Sequence, residues 1–221
     1  MLMKHFVAKG YITLLITFPF VRDNTHTKLI NSIYVHIYEL LSEIEFNPVL
    51  LHQDGRLEHK EFLGDENRDQ RRDLAKQMLK DITPTGSIIA FNQSFEITQI
   101  KNLAQVCPDL SDELLSLNER FIDLAHPFQY KHYYHPKFNG RYSIKVVLPT
   151  LFPNDDELDY KKLGSIQNGG DAMDTFANLH LLKNKDRLDS IKKDLLAYCR
   201  LDTLAMVRIW EKLYQITGGI R

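Results

Sequence analysis

Near the end of the chain, Leu195-Leu-Ala-Tyr198-Cys-Arg-Leu-Asp202-Thr sets a carboxylate in the middle of an apolar helical stripe. At about 100° per residue, Ile191, Leu195, Tyr198, Met206, Ile209 and Leu213 share one side with Asp202, and Lys192, Lys193, Arg200, Thr203 and Arg208 lie opposite. An ionised carboxylate aimed into a core costs several kcal/mol, on the order of 3 or more, unless it is paired or bound to a cation. The fold therefore has to bring Asp202 a partner.

A second helix repeats the anomaly. Gly86-Ser-Ile-Ile-Ala-Phe-Asn92-Gln-Ser-Phe-Glu96 reads as a short buried strand running into a helix on which Glu96, Ile100, Leu103 and Cys107 follow one face. Two helices that each aim one acid inward make half of a site for a hard cation, because Mg²⁺ and Mn²⁺ take oxygen ligands. Such pairs serve two-metal phosphodiester cleavage; a buried ion pair or polar network is the alternative use of the same residues.

With 221 residues and 43% hydrophobic content the chain can bury one sizeable core, and residues 1–221 read as a single domain. Twenty-eight Lys and Arg stand against 29 Asp and Glu, so any nucleic-acid contact has to come from a local patch rather than a global basic field. Cys107 and Cys199 lie in apolar helical settings without zinc spacing, which suits reduced thiols and a cytoplasmic location. The apolar run from Tyr11 to Phe20 is too short to span a bilayer and has no small-residue cleavage pattern after it. It reads as a buried strand, and no membrane is expected as a partner.

Further strands are expected over Ser32–Leu41 and Leu57–Phe62, the latter entered through Asp54-Gly55. A helix is expected over Asp69–Ile82, a central strand over Ser87–Phe91, a helix over Ser111–Glu119 and a short strand over Arg120–Leu124. The last helices are expected to begin near Ser143 and Ser190, both serviceable N-caps. Asn92 and Asp123, at strand ends, are read as satisfying backbone groups or steadying a ligand rather than binding metal directly.

Tyr130-Lys-His-Tyr-Tyr-His-Pro-Lys137-Phe-Asn-Gly-Arg141-Tyr142-Ser-Ile-Lys145 interleaves rings with cations. Lys137, Arg141, Tyr142 and Lys145 suit a single-strand-binding surface, where bases stack on rings and cations meet phosphates. The other reading is an exposed loop or a hairpin at Asn139-Gly140 whose rings cover the edge of the core. The mixed-sign runs at 64–73 and 183–187 read as solvated loops and helix starts.

Gly86 to Glu96, Arg120-Phe-Ile-Asp-Leu, Tyr142-Ser-Ile-Lys-Val-Val-Leu-Pro, Asn168-Gly-Gly and Tyr198-Cys-Arg-Leu-Asp202-Thr-Leu-Ala-Met-Val together resemble a bacterial domain-of-unknown-function family, DUF2779-like. The resemblance runs from about Leu57 to the C-terminus, with residues 1–56 diverged or truncated. It implies an α/β fold with a ribonuclease-H-like mixed sheet and flanking helices, of the DEDD exonuclease type with a Tyr-x-x-x-Asp third motif. By that resemblance Glu96 and Asp202 hold Mg²⁺ or Mn²⁺, Tyr198 orients the attacking water, and the activity is 3′ to 5′ hydrolysis of nucleic acid.

One departure qualifies that activity. Where the family strand reads like Tyr-Phe-Leu-Asp-Phe-Glu-Thr-Phe, this chain has Tyr11-Ile-Thr-Leu14-Leu-Ile16-Thr-Phe18, with Leu14 and Ile16 at the two acid positions. The one Asp-x-Glu in the chain, Asp155-Asp-Glu157, falls in a proline-flanked loop, in the wrong order. The sequence thus leaves three readings: an active exonuclease, an inactive domain that still binds single-stranded nucleic acid or a partner, and a piece of a larger nuclease with further domains.

Overall fold

The structure, a computed structural model, describes residues 12–14, 45–46, 48–51, 56–63, 69–167 and 169–218. The expected strand at Ser32–Leu41 and the Asp54-Gly55 turn lie outside them, as do Ile16 and most of the Tyr11–Phe20 run.

Seven strands are described. They are β1 (Ile12–Leu14), β2 (Glu45–Phe46), β3 (Val49–Leu51), β4 (Leu57–His59), β5 (Phe62–Leu63), β6 (Ser87–Ala90) and β7 (Phe121–Asp123). Five of them form one mixed sheet in the order β4-β3-β1-β6-β7. The early strands pair antiparallel, β4 with β3 and β3 with β1. The later ones run parallel to β1, with Leu14 opposite Ile89 and Ala90 opposite Asp123. The sheet is thus antiparallel on one side of β1 and parallel on the other, and β6 and β7 are joined by a helical crossover, since parallel neighbours need a long connection. The expected single strand over Leu57–Phe62 is instead two: β4 joins the large sheet, and β5 pairs with β2 in a separate two-stranded ribbon.

Among the described residues seven α-helices follow the order α1 (Arg71–Asp81), α2 (Gln93–Val106), α3 (Ser111–Leu117), α4 (His126–Gln129), α5 (Ile144–Leu151), α6 (Gly169–Ala177) and α7 (Lys185–Ile216). They cover both faces of the sheet, and the division can be read at two successive residues. Side chains alternate along a strand. Ile88 enters a core with Leu74 and Met78 of α1, Ile100 and Leu103 of α2, and Leu114 of α3. Ile89 enters the opposite core with Phe128, Phe138, Val147, Leu148 and the α7 residues Ala205, Met206 and Ile209. Both isoleucines are fully buried, each contributing about 2–3 kcal/mol of hydrophobic stabilisation. A third cluster, Ile166, Ala172, Leu179, Leu195, Tyr198 and Cys199, joins α6 to the N-terminal half of α7. This is an α/β architecture.

Two helix starts differ from expectation. Ser143 does precede α5, but its hydroxyl makes no capping bond, and its carbonyl instead accepts from Val146 and Val147 N–H at 2.9 and 3.0 Å. The last helix begins at Lys185 rather than Ser190, because Asn184 caps it by accepting from Arg187 N–H at 3.0 Å. An upstream Asx cap that satisfies a free N–H outcompetes a serine already inside a continuous helix. Thr203 also departs from the expected polar face: it is fully buried, its hydroxyl donating to the Cys199 carbonyl at 2.9 Å. The helix is covered on more than one side here, as buried Leu201, Ala205 and Val207 attest, so a simple two-face division fails.

Asp123 ties the crossover together. Its carboxylate accepts from the backbone N–H groups of Asn92, Gln93 and Ala125 at 2.9, 3.1 and 2.8 Å. Two of these are the otherwise unsatisfied donors at the start of α2, where negative charge is also favoured by the helix dipole. Asn92 can present its N–H this way because it adopts a left-handed backbone, φ 73°, which asparagine tolerates better than most residues. Replacing Asp123 by Ala removes the acceptor of three N–H groups, of which that of Ala125 is buried. Urea unfolding followed by circular dichroism is expected to give a loss of about 2–4 kcal/mol for Asp123→Ala, with Asp123→Asn in between.

Candidate functional site

Asp202 sits on α7, the helix that lies against β1. Two tyrosines supply its partners. Tyr160 donates a short hydrogen bond to Oδ1, and Tyr198, one turn earlier on the same helix, donates to Oδ2 at 3.3 Å. Tyr198 is buried among the residues that join α6 to α7, and Tyr160 is half-buried at the start of a 3-10 turn, Tyr160–Lys162. Asp159 caps that turn by accepting from Lys161 N–H at 3.0 Å. Further along the same loop, Ser165 donates its hydroxyl to Asp194 of α7 at 3.0 Å. The loop is thus tied to the long helix, which brings Tyr160 over Asp202.

A cation completes the group. Lys145, on the first turn of α5, holds its ammonium 4.8 Å from the Tyr160 ring centre and 5.3 Å from that of Tyr198. It donates to the Gln167 carbonyl at 2.6 Å. Attraction between an ammonium and the ring faces adds about 0.5–2 kcal/mol per contact, and the Asp202 charge adds to it. Residues from α5, the 152–167 loop and α7 therefore converge on one carboxylate.

The electrostatics follow from burial. Burial pushes the Asp202 carboxyl above the ordinary carboxylate range, and Tyr160, Lys145 and Tyr198 pull against that rise. Burial, reinforced by the Asp202 charge, drives both phenols well above their usual value, so at neutral pH they are hydrogen-bond donors and not bases. Burial lowers Lys145, with Asp202 and Asp171 opposing the shift.

Glu96, the other inward acid, is buried in the first turn of α2, immediately after the carboxyl end of β6. Leu14 lies on β1, the parallel neighbour of that strand. Asn92 presents its side chain to Ser94, whose hydroxyl donates to it at 2.8 Å. Asp123 serves backbone groups, as described, with His126 Nε2 3.7 Å away. Asp155 caps a 3-10 turn, Asp156 pairs with Lys162 at 2.7 Å and Glu157 with Arg208 at 3.7 Å, so the loop Asp-x-Glu is used in local surface contacts. Among the described residues no three His, Cys, Asp or Glu side chains gather as metal ligands. Both Asp202 oxygens accept from phenols, and Leu14 stands on β1.

The aromatic and basic segment divides in two. Phe138 is buried and Tyr133 half-buried, and both pack with Phe128 edge to face. Tyr130, Tyr134 and Tyr142 remain 59%, 52% and 42% exposed, beside exposed Lys131, Lys137 and Arg141. The rings thus supply both a core edge and a solvent-facing surface. Asn139 and Gly140 adopt left-handed backbone, φ 47° and 77°, but join a 3-10 turn to α5 rather than two strands, so there is no hairpin here. His135 accepts from Lys137 N–H at 3.2 Å, a capping role.

Tyr160 was not singled out in the sequence. It belongs to no periodic element, and only the loop closure over α7 brings it to Asp202. Asp202 makes the stability of the fold depend on pH. Its folded value lies above the unfolded one, so between the two the folded state holds more protons, and stability falls as pH rises through that window. Asp202→Asn removes the penalty. Urea midpoints measured from pH 4.5 to pH 8 are expected to shift in favour of Asp202→Asn relative to the parent as pH rises.

No curated protein and no solved structure matches the chain. One family does, described as "Domain of unknown function (DUF2779)", over residues 19–143. The matched span takes in β2 to β7 and reaches Tyr142, including residues 19–56, which the resemblance had set aside. It stops before Lys145, Tyr160, Tyr198 and Asp202. Since it covers more than half of the sequence and all of the sheet but β1, this chain belongs to the DUF2779 family of domains of unknown function.

Proposed function

We propose that the chain is a single-stranded nucleic-acid-binding domain on a ribonuclease-H-like scaffold of the exonuclease type. Its carboxylate site is held by tyrosine and lysine rather than opened to metal. The observation that carries this reading is Asp202, with a phenol on each oxygen and an ammonium alongside. The sheet order β4-β3-β1-β6-β7, antiparallel on one side of β1 and parallel on the other, supports the scaffold. Exposed Tyr130, Tyr134 and Tyr142 among Lys131, Lys137 and Arg141 support the ligand, since stacked bases and neutralised phosphates are what such a strip serves.

A second reading is 3′ to 5′ exonucleolytic hydrolysis, with Glu96 and Asp202 holding Mg²⁺ or Mn²⁺ and Tyr198 beside the water. It is favoured by Glu96 following the carboxyl end of β6 while α7 lies on the adjacent β1. Incubation of a 3′-labelled single-stranded oligonucleotide with Mn²⁺ separates the two, using Asp202→Ala to control for contaminating nuclease. Binding of the oligonucleotide by the parent without Asp202-dependent loss of label is the expected result. Loss of label that Asp202→Ala abolishes would establish the second reading. In the binding assay, Tyr134→Ala and Tyr142→Ala are each expected to weaken affinity by about 1–3 kcal/mol per base unstacked.

A further inference from the structure

We infer that Lys145 supplies the positive charge by which this site receives a phosphate of single-stranded nucleic acid, in the electrostatic place a divalent ion would take beside Asp202, so that binding here is independent of metal. The inference rests on the binding reading above and adds to it a residue, a ligand group and a cofactor requirement.

The geometry supports it in three respects. First, the Lys145 ammonium is fixed and not free to sweep the surface. It is held by the Gln167 carbonyl at 2.6 Å and lies over the rings of Tyr160 and Tyr198, at 4.8 and 5.3 Å. Lysines on open surfaces lose rotamer entropy when they engage a ligand; this one is already ordered. Second, it is reachable. Lys145 is exposed although its tip is oriented, and Ser143 and Tyr142, the residues leading into its helix, are exposed as well. Third, it is continuous with the ring and cation strip. Only Ser143 and Ile144 separate Tyr142 from Lys145 in the sequence, and Tyr142 and Lys145 are both exposed; a strand stacked on Tyr142 would offer its next phosphate to Lys145.

Tyr160 has a definite part in this arrangement. Its hydroxyl occupies one oxygen of Asp202, and its ring face supports the ammonium. The same side chain therefore keeps the carboxylate engaged and holds the cation in place. Asp202 is the positioning residue behind them, acting through Tyr160, Tyr198 and Lys145 rather than on the ligand.

The test measures fluorescence anisotropy of a labelled single-stranded oligonucleotide across a salt series, in EDTA and in Mn²⁺, for the parent, Lys145→Gln and Lys145→Arg. Circular dichroism of each protein confirms folding. The parent is expected to bind equally in the two media. Lys145→Gln is expected to weaken binding roughly tenfold whatever the sequence and to reduce the log–log salt slope by about 0.7, the loss of one phosphate contact on a single strand. Lys145→Arg is expected to keep the parent's slope, which a purely structural role for Lys145 would not require. Binding in EDTA with Lys145→Gln unchanged in affinity and slope would overturn this assignment and leave the Tyr142 strip as the binding surface. Binding by the parent only in Mn²⁺ would overturn it in favour of metal. No binding in either medium would overturn the binding function itself, and this inference with it.

Discussion

A carboxylate near the middle of a 32-residue helix has to be neutralised by neighbours, and the arrangement around α7 follows from how that is done. The helix serves two apolar clusters. Leu195, Tyr198 and Cys199 close the one built by α6, while Leu201, Ala205, Met206, Ile209 and Leu213 close the one beneath the sheet. Asp202 falls at the join between them. Without donors it would leave a charge at the seam of both; with Tyr160 and Tyr198 on its oxygens and Lys145 nearby, the seam is satisfied. Loop 152–167 is thus tied into the fold by a polar network rather than by burial alone.

The second constraint lies across the sheet. Parallel pairing of β1, β6 and β7 places the carboxyl ends of β6 and β7 together, and Asp123 at the end of β7 can then reach the first turn of α2. That bond sets where the helix begins and so where Glu96 stands. The two inward acids are therefore positioned by different devices, one by backbone capping and the other by phenols. Asp202 also has a lysine beside it.

The surface over α4 and the loop that follows shows how one segment divides its aromatic residues. Phe128, Tyr133 and Phe138 contact each other edge to face or tilted and seal the core. Tyr130, Tyr134 and Tyr142 are left to solvent. Composition gives no means of telling which rings go inward, because the backbone here is irregular, with Lys131 and Asn139 at positive φ. Periodicity has meaning only where φ and ψ repeat.

Where φ and ψ do repeat, the sequence alone determined a good deal. Helix α1, strand β6, the stripe of Glu96, Ile100, Leu103 and Cys107, and the placement of Asp202 on an apolar face all follow from local period and propensity. So does membership of a family whose matching span is sequence-defined. Tertiary structure alone decided the division of Leu57–Phe62 between two sheets, the burial of Thr203, the start of α7 at Lys185 and the arrival of Tyr160 at Asp202. Each of these depends on which distant segment comes to lie beside the residue. A pattern read along one segment carries the energies of its neighbours in sequence, whereas a carboxylate's charge is balanced by whatever the folded chain brings within hydrogen-bonding distance.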